Sequence, residues 1–410
     1  MNDDPTILLT PQGQELLSRL AVEGAGQPSK SLALAERLRR EYPAGLVATA
    51  MAQRELRHAA AAKFSRAADM LFTRAGYEQS SSEAIAGYRA GRLKHAATIA
   101  DLCCGIGGDL LALAEASEVL AVDRDETHAR LALHNAAVYG RADHARAVVE
   151  DVRDVSLAGI DAVFIDPARR SGPGTASAQE ARRYKAGTSE PPLDWCTALT
   201  DAVPAVCIKA APGIPEDLIP EAWEAEFIAE SRDLKEAVLW SPALATAAKA
   251  GKRRPRRATV LATAKTGGVP GSHTLVAREG AQVPLREPGE YLLDPNPAVT
   301  RAGLVEDLAR TLGDDAAKID PQIAFLTLDR NAQTPFARTL RVAHSAPWNE
   351  KQFAKRLREL GIGAVDIRRR GLAGDVDQIR RRLKLSGKAR ATVVITRVSD
   401  KPWGLICTDS

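Results

Sequence analysis

The sequence predicts an α/β protein: a doubly wound, largely parallel sheet with a helical region before it and a small α+β module after it. Three observations carry this. In "ADLCCGIGGDLLALA" (100–114) an apolar run ends in Asp101, a loop with glycines at 105, 107 and 108 follows, and then a run of helical character. Strand, glycine turn and helix in that order form the place where open α/β sheets hold nucleotide-like ligands. From about 96 to 263, seven short apolar runs alternate with helical or loop segments, as a doubly wound sheet requires. Residues 1–95 instead carry apolar positions at spacings of three and four with few β-branched residues.

Taken in order, "SLALAERLRREYP" and "LVATAMAQRELRHAAAAKFSRAADMLF" read as helices, and Ser80 with Glu83 as a capping box opening another. The strand candidates are "ATIAD", "VLAVD", "RAVVED", "AVFIDP", "AVCIKA", "EAVLW" and "ATVLAT". "AKTGGVPGSH" (264–273) reads as a linker or long turn. After it, "HTLVAREG" and "GEYLLDPNP" suggest strands and "AVTRAGLVEDLARTLG" one helix. "GAVDIRRR" reads as a strand, and "DVDQIRRRLKL" as a helix capped by Asp375 with Val376, Ile379 and Leu383 on one face. "ATVVITRVSDKPWGLIC" reads as a hairpin turning at Asp400–Pro402. The expected domains are 1–95, 96–263 and 274–410.

At 410 residues the chain has room for two or three domains. No window approaches a membrane span, and the first residues show no export signal, so a cytoplasmic protein is expected. Five cysteines form no ligand pattern, and the adjacent Cys103 and Cys104 do not suit a structural disulfide; no metal is expected. Net charge is only +4, but "GKRRPRR", "DIRRRG" and "DQIRRRLKLSGKAR" concentrate basic residues in the last two-fifths. One such run reads as a solvated face; three in one region point to a polyanion-binding surface in which Arg368, Arg369, Arg381 and Arg382 are candidates.

A dinucleotide fingerprint needs a third glycine at position 110, which is Leu110. Asp101 suits a cationic amine better than a pyrophosphate. Asp123 after the next strand is placed to accept from two ribose hydroxyls, and Glu150–Asp151 lies where an adenine amino group is in reach. Ordered acids without a basic phosphate grip describe a cationic nucleoside, S-adenosylmethionine.

The block "DLCCGIGGDLLALA", "VLAVDRDETHARLALHNAAVYG" and "DAVFIDP" resembles class I S-adenosylmethionine-dependent methyltransferases, with their Rossmann-like sheet, and within them the trimethylguanosine synthase group. The resemblance implies that Asp101, Gly105 and Gly107 line the methionine end, Asp123 the ribose, Asp151 the adenine side and Asp166 the edge of the reaction site. Asn135 matches a family position, though an Asx-type helix or turn bond explains it equally well. Through "DPARR", "IKAAPG", "LKEAVLW", "DPNPAVTRAGL" and "RRRGLAGDVDQIRRRLKLSG" the whole chain resembles a bacterial methyltransferase family with a THUMP-like C-terminal domain. That resemblance implies RNA, tRNA or rRNA, as partner.

For the acceptor site, "AVFIDPARR" lacks the aromatic that nitrogen methyltransferases of this class carry after Asp-Pro-Pro. Arg169 or Arg170 stacks on a base, holds a phosphate or pairs with a nearby acid. A uridine C5 mechanism needs a cysteine where this chain has alanine, near Pro212. Asp166, Lys209 and Glu236 match part of the Lys-Asp-Lys-Glu set of ribose 2′-O-methyltransferases, but Lys63 and Lys94 are poorly placed to supply the first lysine. Asp166, Lys209 and Arg169 are the expected catalytic residues of an RNA methyltransferase, with a base nitrogen favoured and the 2′-hydroxyl second. A non-catalytic RNA-binding protein and a small-molecule methyltransferase are the rival classes.

Overall fold

The computed structural model describes residues 4–23, 31–169, 189–248, 251, 254–262, 271–372 and 374–409. The chain divides into two compact units, Met1–Trp223 with Ala237–Ala245, and Glu224–Glu236 with Thr246–Ser410.

The first unit opens with helices α1 (Pro11–Glu23), α2 (Ser31–Leu38), α3 (Ala44–Ala60), α4 (Arg74–Gln79) and α5 (Glu83–Leu93). Leu16, Leu17 and Leu20 of α1 and Leu46, Val47, Ala50 and Leu56 of α3 are buried, the spacing of an amphipathic helix face. No capping box opens α5. Its N-cap is Ser82, whose side chain does not cap the helix, and Glu83 accepts instead from Ser65 N and Oγ at 2.8 and 2.9 Å. The α/β part follows: β1 (Thr98–Leu102), α6 (Leu110–Leu113), β2 (Glu118–Asp123), α7 (Glu126–Val138), β3 (Ala145–Val149), β4 (Ala162–Ile165), a ribbon of β5 (Ala168–Arg169) and β6 (Ser189–Glu190), α8 (Leu193–Ala198) and β7 (Ala205–Ala210). Next come β8 (Glu224–Glu230), in the second unit, and β9 (Asp233–Trp240), which belongs to the first unit from Ala237. The sheet order in the first unit is β9-β7-β4-β1-β2-β3. Its pairs are parallel except β7 with β9. Strands β1, β4 and β7 are apolar and buried because helices cover a parallel sheet on both faces.

In the second unit, β8 runs parallel to β10 (Arg256–Ala262), which pairs antiparallel with β11 (Gly271–Val276). The strand β8 has no counterpart among the sequence expectations. Glu224 and Glu226 make it look polar, yet both are fully buried. Glu224 accepts from Arg257 Nε and from the amides of Thr246 and Ala247, each at 2.7 Å, and Glu226 accepts from the Thr259 hydroxyl.

A seven-stranded sheet follows, built from β12 (Tyr291–Pro295), β13 (Ala317–Lys318), β14 (Leu326–Leu328), β15 (Ala337–Pro347), β16 (Ile362–Arg369), β17 (Ala389–Val398) and β18 (Lys401–Asp409). Its order is β13-β14-β12-β15-β18-β17-β16, antiparallel except for β16 with β17. The helices are α9 (Pro297–Ala302), α10 (Val305–Leu312), α11 (Glu350–Glu359) and α12 (Val376–Leu383). The single helix expected over 298–313 is two, because Gly303 takes the left-handed conformation (φ 70°) and ends the first. Strand alternation sorts the core onto two faces. Val393, Ile395 and Ile406 pack with Phe353, Leu357 and Leu383 of α11 and α12. Val394, Leu405, Cys407, Leu340 and Leu292 face the other way, against Ile319, Ile323 and Phe325. The last hairpin turns at Ser399–Asp400, both with positive φ, so β18 begins earlier than Asp400–Pro402 implied.

Candidate active site

Strand β1 carries its acid into the interior. Asp101 is 1% exposed, and its Oδ2 has no hydrogen-bond partner. Burial, then the charges of Asp109, Asp166 and Asp123, hold its carboxyl well above the usual range, with Arg89 acting against them. Beyond β1 the chain needs conformations that most residues avoid: Gly105 and Gly107 have φ of 53° and 85°. At Gly107 space is decisive too, since a Cβ there would come within 3.0 Å of Ala132 Cα on α7.

The loop is tied down from several directions. Cys104 N donates to Val122 O at 3.1 Å. Gly105 N donates to Asp123 Oδ2 at 2.9 Å, and Asp125 N to Asp123 Oδ1 at 3.0 Å. Asn135, fully buried on α7, donates to Ile106 O at 2.9 Å and to Leu71 O at 3.1 Å, and accepts from Leu71 N at 2.9 Å. Its partners are therefore long-range, and no Asx-type helix or turn bond accounts for it. Burial works against ionised Asp123, but His128 and the two backbone donors outweigh it and hold its carboxyl below the usual range. The Asp123 carboxylate, 3.8 Å from Nδ1, raises the His128 imidazole above its ordinary value, and His128 Nε2 lies 3.3 Å from Thr73 Oγ1.

Arg89 escaped the sequence reading. It is 1% exposed, donates to Ser81 Oγ at 2.7 Å and to Asp109, and lies 5.3 Å from the centre of the Phe164 ring. A signal existed: Ile85, Ala86, Arg89 and Leu93 form the buried face of α5, so an arginine occupies an apolar stripe.

At the end of β4, Asp166 N donates to Leu102 O at 3.2 Å, which sets its carboxylate beside β1. Lys209 on β7 donates to Asp166 Oδ2 at 2.6 Å and to Gln79 O at 3.4 Å. The lysine side chain is 9% exposed and the aspartate 31%, so the carboxylate is the accessible member. Lys63 donates to the carbonyls of Tyr77, Glu78 and Ser80, at the end of α4. Asp151 accepts from Arg153 N at 3.0 Å and faces its guanidinium, which also holds Glu190. The Arg169 backbone pairs with Ser189; its side chain, and Arg170, lie outside the described residues.

These residues fit a cationic nucleoside. A buried carboxylate oxygen without a donor, among further acids, is satisfied by an ammonium. Asp123 uses two of its roughly four acceptor positions on backbone amides, leaving capacity for hydroxyls. Among the described residues no group of three or more His, Cys, Asp or Glu side chains is arranged to hold a metal ion. No described helix is long and apolar enough to cross a membrane.

A protein of Mycobacterium tuberculosis (strain H37Rv), described as an uncharacterized S-adenosylmethionine-dependent methyltransferase, is 34% identical over 335 residues, 80% of this chain and 85% of its own. Strain CDC 1551 carries a match of the same extent. The chain belongs to the S-adenosylmethionine-dependent methyltransferases. Residues 96–184 of this methyltransferase match the family model of RNA cap guanine-N2 methyltransferases, and 337–409 that of THUMP domain-like regions. Residues 3–60 match a domain of unknown function, DUF8688. The crystal structure of a candidate methyltransferase from Porphyromonas gingivalis W83 superposes with a TM-score of 0.73 at 17% identity, covering 96% of each chain, which establishes a shared fold. The methyltransferase is thus of class I, with a THUMP-like C-terminal region, and its cofactor is S-adenosylmethionine.

Proposed function

We propose that this methyltransferase modifies a structured RNA, tRNA or rRNA, in the cytoplasm, at a base nitrogen. The observation that carries the choice of atom is the Lys209–Asp166 pair at 2.6 Å. An ammonium committed to a carboxylate keeps that carboxylate charged and fixed, able to orient an acceptor amine and take its proton. A ribose 2′-hydroxyl calls instead for a lysine acting as base, and Lys209 is engaged as a donor. The RNA substrate draws its support from the two RNA-related family matches and from the clustered arginines.

In this reading Asp101, Gly105 and Gly107 hold the methionine end of the cofactor, Asp123 the ribose and Asp151 the adenine side. Asp166 and Lys209 form the acceptor site, and Arg169 contacts the RNA beside it. When bound, S-adenosylmethionine supplies an electrophilic methyl group on a sulfonium. The protein's contribution is alignment of the acceptor and removal of its proton, with Asp166 as acceptor of that proton. The functional division we propose is 1–95, 96–263 and 274–410. The test is mass spectrometry of nucleosides from a deletion strain, followed by methylation of its RNA with the purified enzyme. Loss and restoration of one base-methylated nucleoside supports the reading. A missing 2′-O-methyl nucleoside moves the target to the ribose, and an unchanged nucleoside profile removes RNA as substrate.

A further inference from the structure

The seven-stranded sheet of the second unit has one face covered by α11 and α12 and another that carries a group of arginines. At its centre is Asp294, whose side chain is 7% exposed. Arg232 Nη2 donates to Asp294 Oδ2 at 2.8 Å, and Arg370 Nη2 lies 2.8 Å from Oδ1. Opposite Asp294 in the β12–β15 register stands Arg338, which bonds Asp409. Arg368 is the register partner of Val394, so it lies on the side away from the helices. Arg390, four residues before Val394 on the same strand, shares that side. Arg368 Nε donates to Asp366 at 2.8 Å.

Five guanidiniums therefore meet three carboxylates, Asp294, Asp366 and Asp409, and the surplus is positive. Burial, and then the neighbouring Arg368, Arg338 and Arg370, hold the Arg232 guanidinium below its usual range against the pull of Asp294. Mutual repulsion of this kind is relieved by an anion. The arginines stay accessible: the Arg232, Arg338 and Arg368 side chains are 36%, 34% and 48% exposed.

The consecutive arginines of α12 differ in their surroundings. Arg380 pairs with Asp377 at 2.8 Å, and Arg381 Nε bonds Asp377 O at 3.3 Å. Arg382 bonds Gln378 at 2.9 Å and lies 3.6 Å from Glu350. They belong to the helix-covered side of the sheet.

We infer that the face bearing Arg232, Arg338, Arg368, Arg370 and Arg390, and not α12, grips the phosphate backbone of the RNA. The inference rests on the RNA reading above and extends it. Arg232 lies outside the THUMP-like match of residues 337–409, so the contact surface is larger than that match.

The test is the binding of a fluorescently labelled RNA hairpin with a single-stranded 3′ end, measured over a salt series with the full-length protein. The triple variant Arg338→Gln, Arg368→Gln, Arg390→Gln is expected to bind about tenfold or more weakly near 0.1 M salt, with a log–log salt slope shallower by about two. Arg338 and Arg368 pair with exposed carboxylates and Arg390 is itself exposed, so an unchanged melting temperature is expected alongside. The converse variant, Asp366→Asn with Asp409→Asn, should bind more tightly and steepen the slope, an outcome that misfolding does not produce. Arg380→Gln, Arg381→Gln, Arg382→Gln should leave the slope near that of the wild type. Wild-type binding with an unchanged triple variant, or a loss confined to the α12 variant, overturns the assignment of the face and leaves the RNA reading standing. A wild-type protein that binds no RNA overturns both.

Discussion

In the sheet of the first unit the charges at the candidate site are few and mostly acidic, with Asp101 and Lys209 buried; in the seven-stranded sheet of the second they are many, basic and 30% or more exposed around Asp294. Asp101 and Asp109 lie in the interior with Arg89 as their counterweight, whereas Arg338 and Arg368 stand on the surface beside exposed carboxylates and the exposed Arg382 beside the half-buried Glu350. Charges of the first kind act through position, since a low dielectric makes each contact costly to lose. Those of the second kind act through number and yield to salt. A parallel sheet brings strand ends together and can focus a site, while an antiparallel sheet offers a broad face.

The largest effect that tests this contrast is on stability. Arg89→Ala leaves Asp109 without its buried partner and should cost about 3–5 kcal/mol, read by chemical denaturation. Arg382→Ala, whose side chain is 60% exposed, should stay within about 0.5 kcal/mol. Similar values for the two would break the comparison.

Next comes turnover. Asp166→Ala should lower kcat by about a hundredfold or more on the proposed RNA substrate while cofactor affinity changes little. Lys209→Ala should follow it. If Lys209→Ala is fully active and Asp166→Ala is not, the lysine is no base and the 2′-hydroxyl is removed from consideration. Near-normal turnover in both moves the acceptor site elsewhere.

Asp101 gives opposite signs in two measurements. Asp101→Asn removes a charge-assisted contact worth about 1.5–3 kcal/mol, so calorimetry should find S-adenosylmethionine bound roughly 10- to 100-fold more weakly. In the ligand-free protein the same change should raise the melting temperature at neutral pH. The folded-state carboxyl is held above its unfolded value of about 4, so the folded chain keeps a proton that the unfolded chain has released. Stability therefore falls as pH rises from about 4 toward the raised folded value. Melting curves across pH should show that decline in the wild type and its loss in Asp101→Asn.

The smallest effect sharpens the comparison at a helix end. Thr73 accepts from Gly76 N at 2.9 Å and stands beside His128. Thr73→Ala should cost about 1 kcal/mol, read as a small drop in melting temperature.

Much of this was legible in the chain. The strands of the first unit announced themselves as short apolar runs because both faces of a parallel sheet are buried. The acids stood at strand ends, where ligands of such sheets bind. The α12 cap at Asp375 was readable too, and it accepts from the amides of Asp377 and Gln378. What stayed hidden depended on partners distant in sequence. Strand β8 is disguised by two glutamates whose charge is answered by Arg257 and Thr259, more than thirty residues on. Arg89 stood in the sequence only as an arginine in an apolar stripe, and its partners Asp109 and Ser81 came with the fold. The Lys209–Asp166 pair could be named from the sequence as one option among several; its geometry could not. The arginines of α12 were conspicuous because they are consecutive, whereas those around Asp294 come from three strands, the turn between β8 and β9 and the residue after β16, a grouping that no linear pattern displays.

The bonds of Asn135 bear on how freely this enzyme's parts can be exchanged. One side chain joins the glycine loop, through Ile106, to Leu71 in the helical region, and Arg89 repeats the connection through Asp109. A chain begun at residue 96 would retain every glycine and acid of the proposed nucleoside site and lose the scaffolding that sets their angles. The helical region is thus no removable cassette, and a chimera that keeps α/β strands from one relative and helices from another would have to carry residues 71, 81, 89, 109 and 135 across as a set.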